Sequence, residues 1–263
     1  MIFIRSLAFN IAFYVSLIVQ MIVFTPFYFL APRRYAWFVP KFWASSSLWL
    51  QEKIAGTKSE ITGQENLPPG SYILAPKHLS FWDAIAFLPY IPDALYILKR
   101  ELMWIPFFGW YVAKMRMVPV HRGNRSKALR QVIAATKAEM ARNPRQLIIY
   151  PEGTRRPVGA EPSYKYGIVE LYAELGLPVV PVAHVAGLYW PRREFLRFPG
   201  TIHARFLPPI EPGLDRATFI ARLIAETEAA CDQYLIDAAR SKNPPPMPDT
   251  ARKRLRELGV GEG

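Results

Sequence analysis

At 263 residues the chain has room for one sizeable hydrophobic core of about 200 residues and an accessory segment. Its 33 basic against 21 acidic side chains give a net charge of +12, yet 51% of residues are hydrophobic, which points to an anionic membrane surface at least as well as to nucleic acid. No zinc-finger spacing, RNA-recognition signature or long basic run supports a nucleic-acid partner, and the single cysteine, Cys231, excludes a disulfide framework or Cys-rich metal site and fits a reducing compartment.

Arg5 is followed by a charge-free run over 6–32, then by Arg33 and Arg34. The run exceeds the roughly 20 residues needed to cross a bilayer core. It lacks the small-residue cleavage site of a signal peptide, so it reads as a retained anchor, with Asn10, Gln20 and Pro26 inside it. Residues 36–54, rich in Trp and Phe with Lys41 among them, suit a helix lying at the interface or returning from it. Positive charge on both flanks of the first run leaves a span and a re-entrant hairpin in one leaflet both open. Residues 1–58 are therefore assigned to membrane-anchoring helices, 59–242 to an α/β domain, and 243–263 to a Pro-rich, basic tail.

From Ile61 onward short apolar runs alternate with helical patterns, which predicts an α/β fold with a mostly parallel sheet flanked by helices. Residues 63–70, with Pro68 and Pro69, form the turn into it. Strands are predicted at 71–75, 94–98, 117–120, 146–150, 179–185 and 201–207. Helices are predicted at 81–88, 126–142 (capped by Ser126), 163–176 (stopped by Gly176) and 215–240. The Pro-rich stretch 243–248 breaks structure, and 250–258 reads as at most a basic surface helix or a frayed end.

The most informative stretch is Lys77-His78-Leu79-Ser80-Phe81-Trp82-Asp83, where the first strand of the domain gives way to a helical pattern. Ligands in open α/β sheets bind beyond the carboxyl ends of strands, so His78 stands where a catalytic base is expected. Residues five apart on a helix point about 140° away from each other. His78 must therefore lie ahead of the first turn to meet Asp83. Ser80 then becomes the N-cap and Asp83 falls at N3, either as half of a capping box or as a carboxylate that holds an imidazole. Other strands end at Lys99-Arg100-Glu101, at His121-Arg122 and at Pro151-Glu152-Gly153-Thr154-Arg155. If the strands are parallel these loops share one edge, and cations beside a Gly-containing turn describe a phosphate or oxyanion site.

His121, His184 and His203 have no matching acidic spacing and read as structural. The aromatic stretch 104–111, with Pro106 and Gly109, either lines an apolar slot for a long chain or packs in the core. Arg192, Arg193 and Arg197, among Phe195 and Phe198, either touch lipid headgroups or are exposed loop charge. No P-loop, dinucleotide fingerprint, zinc-protease His pair or Gly-x-Ser-x-Gly elbow occurs, and no metal is expected. Without an activated Ser or Cys, the His/Asp pair suits removal of a proton from a substrate hydroxyl.

These residues resemble the glycerolipid acyltransferase family, most closely its bacterial 1-acylglycerol-3-phosphate acyltransferases. The family's first block, Asn-His-x-Ser-x-x-Asp, is matched over 77–83 except that Lys77 replaces the usual Asn. The second is similar to Lys99-Arg100-Glu101-Leu102 with Pro106, Gly109 and the closing Arg122. The third, Pro-Glu-Gly-Thr-Arg, is present entire from Pro151 to Arg155, and the fourth resembles Val180-Pro181-Val182.

The resemblance implies acyl transfer from an acyl thioester, on coenzyme A or acyl carrier protein, to the free hydroxyl of lysophosphatidic acid, with no cofactor. The expected setting is the bacterial inner membrane, with the catalytic domain on the cytoplasmic side. On that reading His78 is the general base and Asp83 orients it. Lys99, Arg122, Glu152, Gly153, Thr154 and Arg155 form the acceptor site, and backbone N–H groups near Gly153 serve the oxyanion. Lys77, an extra cation beside the base, either lowers its pKa or adds a phosphate contact. The alternatives are transfer to another lysolipid such as lyso-ornithine lipid, a non-catalytic membrane lipid-binding protein, or a lysophospholipid hydrolase in which His78 activates water.

Overall fold

A computed structural model describes residues 1–120 and 125–260, with only the backbone of Arg125 and Ser126. Seven strands form one sheet: β1 (Thr57–Thr62), β2 (Tyr72–Pro76), β3 (Ala94–Lys99), β4 (Val118–Val120), β5 (Gln146–Ile148), β6 (Val179–His184) and β7 (Gly200–Phe206). Their spatial order is β1-β7-β6-β2-β5-β3-β4. Every neighbouring pair is parallel except β6 and β7, which makes the sheet mixed, with β1 and β7 running against the other five. β2 lies near the middle, and its successive residues Ile73, Leu74 and Ala75 are all buried, alternating between the cores on the two faces. That is why it reads as a continuous apolar run.

The sequence pattern did not disclose β1. Its residues, Thr-Lys-Ser-Glu-Ile-Thr, form an edge strand with a largely polar, half-exposed surface, and it begins just ahead of the boundary drawn at residue 59. The predicted helix over 81–88 is instead two short 3₁₀ turns, Trp82–Ala84 and Leu88–Tyr90. Pro89 lacks an amide proton and cuts the segment short, leaving too few residues to repay helix nucleation.

The helices are α1 (Ile2–Leu30), α2 (Arg33–Ala36), α3 (Phe38–Leu50, continued by a π turn over Gln51–Ala55), α4 (Phe108–Lys114), α5 (Arg125–Met140), α6 (Tyr166–Leu175), α7 (Arg216–Ala239) and α8 (Asp249–Glu257). α5 starts one residue before the expected Ser126 cap. α1 is long and apolar enough to cross a membrane; it packs on α2 and α3 and is pinned to the α/β domain near both ends. Ser6, Phe9, Phe13 and Tyr28 are buried. Near one end the Arg197 amide donates to Ser6 Oγ at 2.8 Å, and Arg197 Nη2 donates to Asn10 Oδ1 at 3.2 Å. Near the other, the Tyr28 ring stacks on Tyr111 at 4.0 Å and its hydroxyl donates to Tyr111 O at 2.7 Å. Gln20 reaches Ser46 of α3 at 3.0 Å, so the polar residues of the run are pins between elements. Arg197 is therefore neither a headgroup contact nor exposed charge: it is buried, joining α1 to the domain.

α8 is not a frayed end. Ala251 and Leu255 are buried, Arg254 grips the Asp232 carboxylate of α7 at 2.9 and 2.6 Å, and Thr250 Oγ1 donates to Val158 O at 2.6 Å. Gly159 packs so close that a Cβ there would sit 2.7 Å from Ala251 Cα.

Candidate active site

β2, β5 and β3 are adjacent and parallel, so their carboxyl ends open on one edge of the sheet. His78 follows β2 there. Its Nδ1 lies 3.0 Å from Asp83 Oδ1, while Asp83 Oδ2 accepts the backbone N–H groups of Leu79 and Ser80, both at 2.8 Å. One carboxylate thus performs both roles that the spacing left open, closing the turn and holding the imidazole. A carboxylate only accepts, so Nδ1 carries the proton and the Nε2 lone pair is left for a ligand. Ser80 Oγ accepts from Trp82 N at 3.1 Å and donates to Trp190 O at 2.7 Å, which anchors the turn to the loop after β6.

The end of β5 completes this wall. The Tyr150 ring stacks on His78 with centroids 3.9 Å apart, and its hydroxyl donates to Asp83 O at 3.2 Å. Burial, reinforced by Tyr96 and Asp83, pushes that hydroxyl well above the ordinary tyrosine range, so it stays neutral. Arg156 N donates to His78 O at 2.9 Å, tying the turn after β5 to the backbone of His78. Gly153 holds φ +67°, a left-handed conformation that glycine adopts without strain, and its own N–H is donated to Tyr150 O at 2.9 Å. Thr154 is exposed on the same turn. The Arg155 guanidinium stands 5.8 Å from the centre of the Phe81 ring, and Arg192 Nη1 donates to Arg155 O at 2.8 Å.

Lys99, at the end of β3, is about half exposed with Nζ 3.5 Å from Glu101 Oε1. Arg122 and His121 lie outside the described residues. Glu152 is not on the cleft surface. Its side chain is fully buried, with Oε1 3.1 Å from Lys77 Nζ. Lys77 is likewise inside, 6% exposed, and reaches Glu228 Oε1 of α7 at 2.8 Å, so it offers no phosphate contact at the cleft. His184 is sealed behind the loop. Its Nε2 bonds Lys77 O at 2.9 Å and its Nδ1 accepts from Ala186 N at 3.3 Å. Burial, only partly opposed by Asp83, holds its pKa below the ordinary histidine value. Tyr150, Trp190 and Glu228 had no sequence signal, because each acts through a contact between elements far apart in the chain. Among the described residues no group of His, Cys, Asp and Glu is arranged to hold a metal ion.

A family model described as Acyltransferase matches residues 58–185. A 1-acyl-sn-glycerol-3-phosphate acyltransferase of Pseudomonas aeruginosa is 34% identical over 207 residues, covering 77% of this chain and 80% of that protein. The chain belongs to the glycerolipid acyltransferase family. A chloroplastic 1-acyl-sn-glycerol-3-phosphate acyltransferase of Arabidopsis thaliana, LPAT1, is 33% identical over 63% of this chain, which spans about half (46%) of that longer relative. The crystal structure of the 1-acyl-sn-glycerophosphate acyltransferase PlsC from Thermotoga maritima has the same fold, with a TM-score of 0.69 at 23% identity over 87% of this chain and 98% of that one. This O-acyltransferase therefore presents its first and third family blocks side by side, with the His78 imidazole between Asp83 and the Tyr150 ring.

Proposed function

We propose that this acyltransferase moves a fatty acyl group from a thioester, on coenzyme A or acyl carrier protein, to the free hydroxyl of 1-acylglycerol-3-phosphate, giving phosphatidic acid. The observation that carries this reading is the orientation of His78, whose Nδ1–H is held by Asp83 and whose Nε2 is left to receive a proton. Nε2 takes the hydroxyl proton as the oxygen attacks the thioester carbonyl. The tetrahedral adduct collapses by breaking the carbon–sulfur bond, and the imidazolium returns its proton to the departing thiolate. Asp83 stabilises the imidazolium between these steps. Direct transfer is supported by the state of the alternative nucleophiles. Ser80 is buried and bonded on both sides, and burial pushes the Cys231 thiol up to about 12.

Arg155, beside Phe81 at the mouth of the His78 loop, is the cation for the acceptor phosphate, joined by Lys99 from the loop after β3 and, as the family resemblance implies, by Arg122. The membrane setting is supported by the exposed face of α1 and by Trp104, Phe107 and Trp110, more than half exposed at 76%, 51% and 56%. The pins at both ends of α1 favour the re-entrant hairpin over a span. The cytoplasmic face of the bacterial inner membrane is where thioester donors and a free thiol both persist.

Mass spectrometry of the products from lysophosphatidic acid and an acyl thioester tests this, run beside a panel of other lysolipids. Phosphatidic acid and free thiol should appear in equal amounts, and His78→Ala should lower kcat about 10²–10⁴-fold while membrane binding is retained. Free fatty acid without a diacyl product, faster turnover of another acceptor, or near-normal transfer by His78→Ala would overturn it.

A further inference from the structure

Lysine 77 stands one residue before the base, where the family's first block has asparagine, and the structure gives it a partner from outside every block. Nζ meets Glu152 Oε1 at 3.1 Å and Glu228 Oε1 at 2.8 Å, and Tyr164 Oη donates to the same Glu228 oxygen at 2.9 Å. Arg156 Nε approaches Glu152 Oε1 at 3.7 Å, so two cations face two carboxylates and the cluster is formally neutral. Burial works against the charge on Lys77, but Glu228 and Glu152 together more than offset it and its pKa is raised. An asparagine here has one amide to offer, enough for Glu152 but leaving Glu228 without a countercharge. The three residues belong to different parts of the fold. Lys77 leads into His78, Glu152 opens the Gly153 turn, and Glu228 lies on α7, along one wall of a cavity of about 350 Å³ that Lys77 and Arg156 also line.

We propose that Lys77 and Glu228 are a matched pair that positions the two catalytic loops of this acyltransferase, with Glu228 supplying the charge that allows lysine in place of asparagine. Lys77 and Glu228 are positioning residues: they act through the backbone of His78 and through Glu152, not on substrate. The kinetic half of this inference rests on the acyl-transfer reading, whereas its thermal half does not.

Lys77→Asn, Glu228→Gln and the double variant are to be compared by thermal midpoint and by kcat and KM, with assays well below the lowest midpoint. Lys77→Asn should lower the midpoint by about 5 °C or more, since it leaves the part-buried Glu228 carboxylate without a countercharge. It should lower kcat about 10-fold or more with KM for both substrates within about threefold. Glu228→Gln should do less. In the double variant, at least half of the lost midpoint and most of the lost kcat should return, which is the coupling expected of groups in contact. If Lys77→Asn alone fails to fold, a folded and active double variant supports the pair. A double variant that is no better than Lys77→Asn, or a Lys77→Asn protein with the wild-type midpoint and kcat, overturns it. A wild type that makes no phosphatidic acid overturns the function proposed above, while the midpoints still decide the pairing.

Discussion

Two histidines approach the same carboxylate from opposite sides of the loop after β2, and their surroundings differ in one decisive respect. On the cleft side His78 is 15% exposed, gives its Nδ1 proton to Asp83, and has no partner for Nε2 among the described residues. On the inner side His184 is fully buried, 4.0 Å from the other Asp83 oxygen, and both of its ring nitrogens are bonded to backbone. The residue type and the neighbouring carboxylate are the same. What separates an imidazole free to take a proton from a strut is whether the second nitrogen is already taken, and that depends on which face of the loop the ring occupies. The inner face also holds Lys77, Glu152 and Glu228, so Lys77 and Glu152, which read as cleft chemistry in sequence, are used with Glu228 to fasten the loop from behind.

The contrast is broken most severely at the shared carboxylate. Asp83→Asn keeps the shape but no longer selects the Nδ1–H tautomer, and it leaves two backbone donors competing with the imidazole for a single oxygen. We expect kcat to fall about 10²–10⁴-fold. One buried donor without a partner costs about 1–3 kcal/mol, which lowers the melting midpoint by about 2–12 °C. On the cleft side alone, Arg155→Ala should raise KM for the phosphorylated acceptor about 10–100-fold, the loss of one charge-assisted hydrogen bond of about 1.5–3 kcal/mol, with KM for the thioester nearly unchanged. An equal rise in both constants would place Arg155 elsewhere.

On the inner side the effect moves to pH. Because the folded pKa of His184 is depressed, the stability it contributes is complete above the unfolded value of about 6.5 and is lost as pH falls from there through the folded pKa. A series of thermal midpoints from pH 7.5 to about 5 should fall for the wild type and fall less steeply for His184→Gln. Parallel slopes would deny the buried imidazole this role. Far from the site the effect is chemical: with its pKa raised to about 12, the Cys231 thiol should react with iodoacetamide at pH 8 about a thousandfold more slowly than an exposed cysteine, recovering in denaturant.

The sequence carried the sheet well where strands are buried on both faces, as in β2 and β6, because such strands leave unbroken apolar runs. It failed at β1, whose edge position leaves half-exposed polar residues, and at 81–88, where Pro89 cut a helical pattern into turns. Within the site, His78 and Asp83 were legible because five positions suffice to bring them together across a tight turn. Tyr150 over His78 and Glu228 against Lys77 were not, since the partners are separated by whole elements and local spacing holds no trace of them. Glu152 shows the opposite limit. Its motif was plain, but whether a carboxylate faces substrate or interior is decided by what packs against it. Arg145 was equally hidden: it is fully buried and donates to Ala94 O and Met115 O at 3.0 and 2.8 Å, serving three chain segments at once.

The docking of α8 bears on when the protein becomes competent. Thr250 fastens Val158 across 92 positions of chain, and that loop follows directly from the turn that carries Arg155. During synthesis the segment behind the turn emerges long before its clasp, and until α8 arrives Gly159 faces open solvent. A message truncated before codon 249 would yield a polypeptide with both histidines and every family block intact, yet with the loop behind Arg155 unlatched.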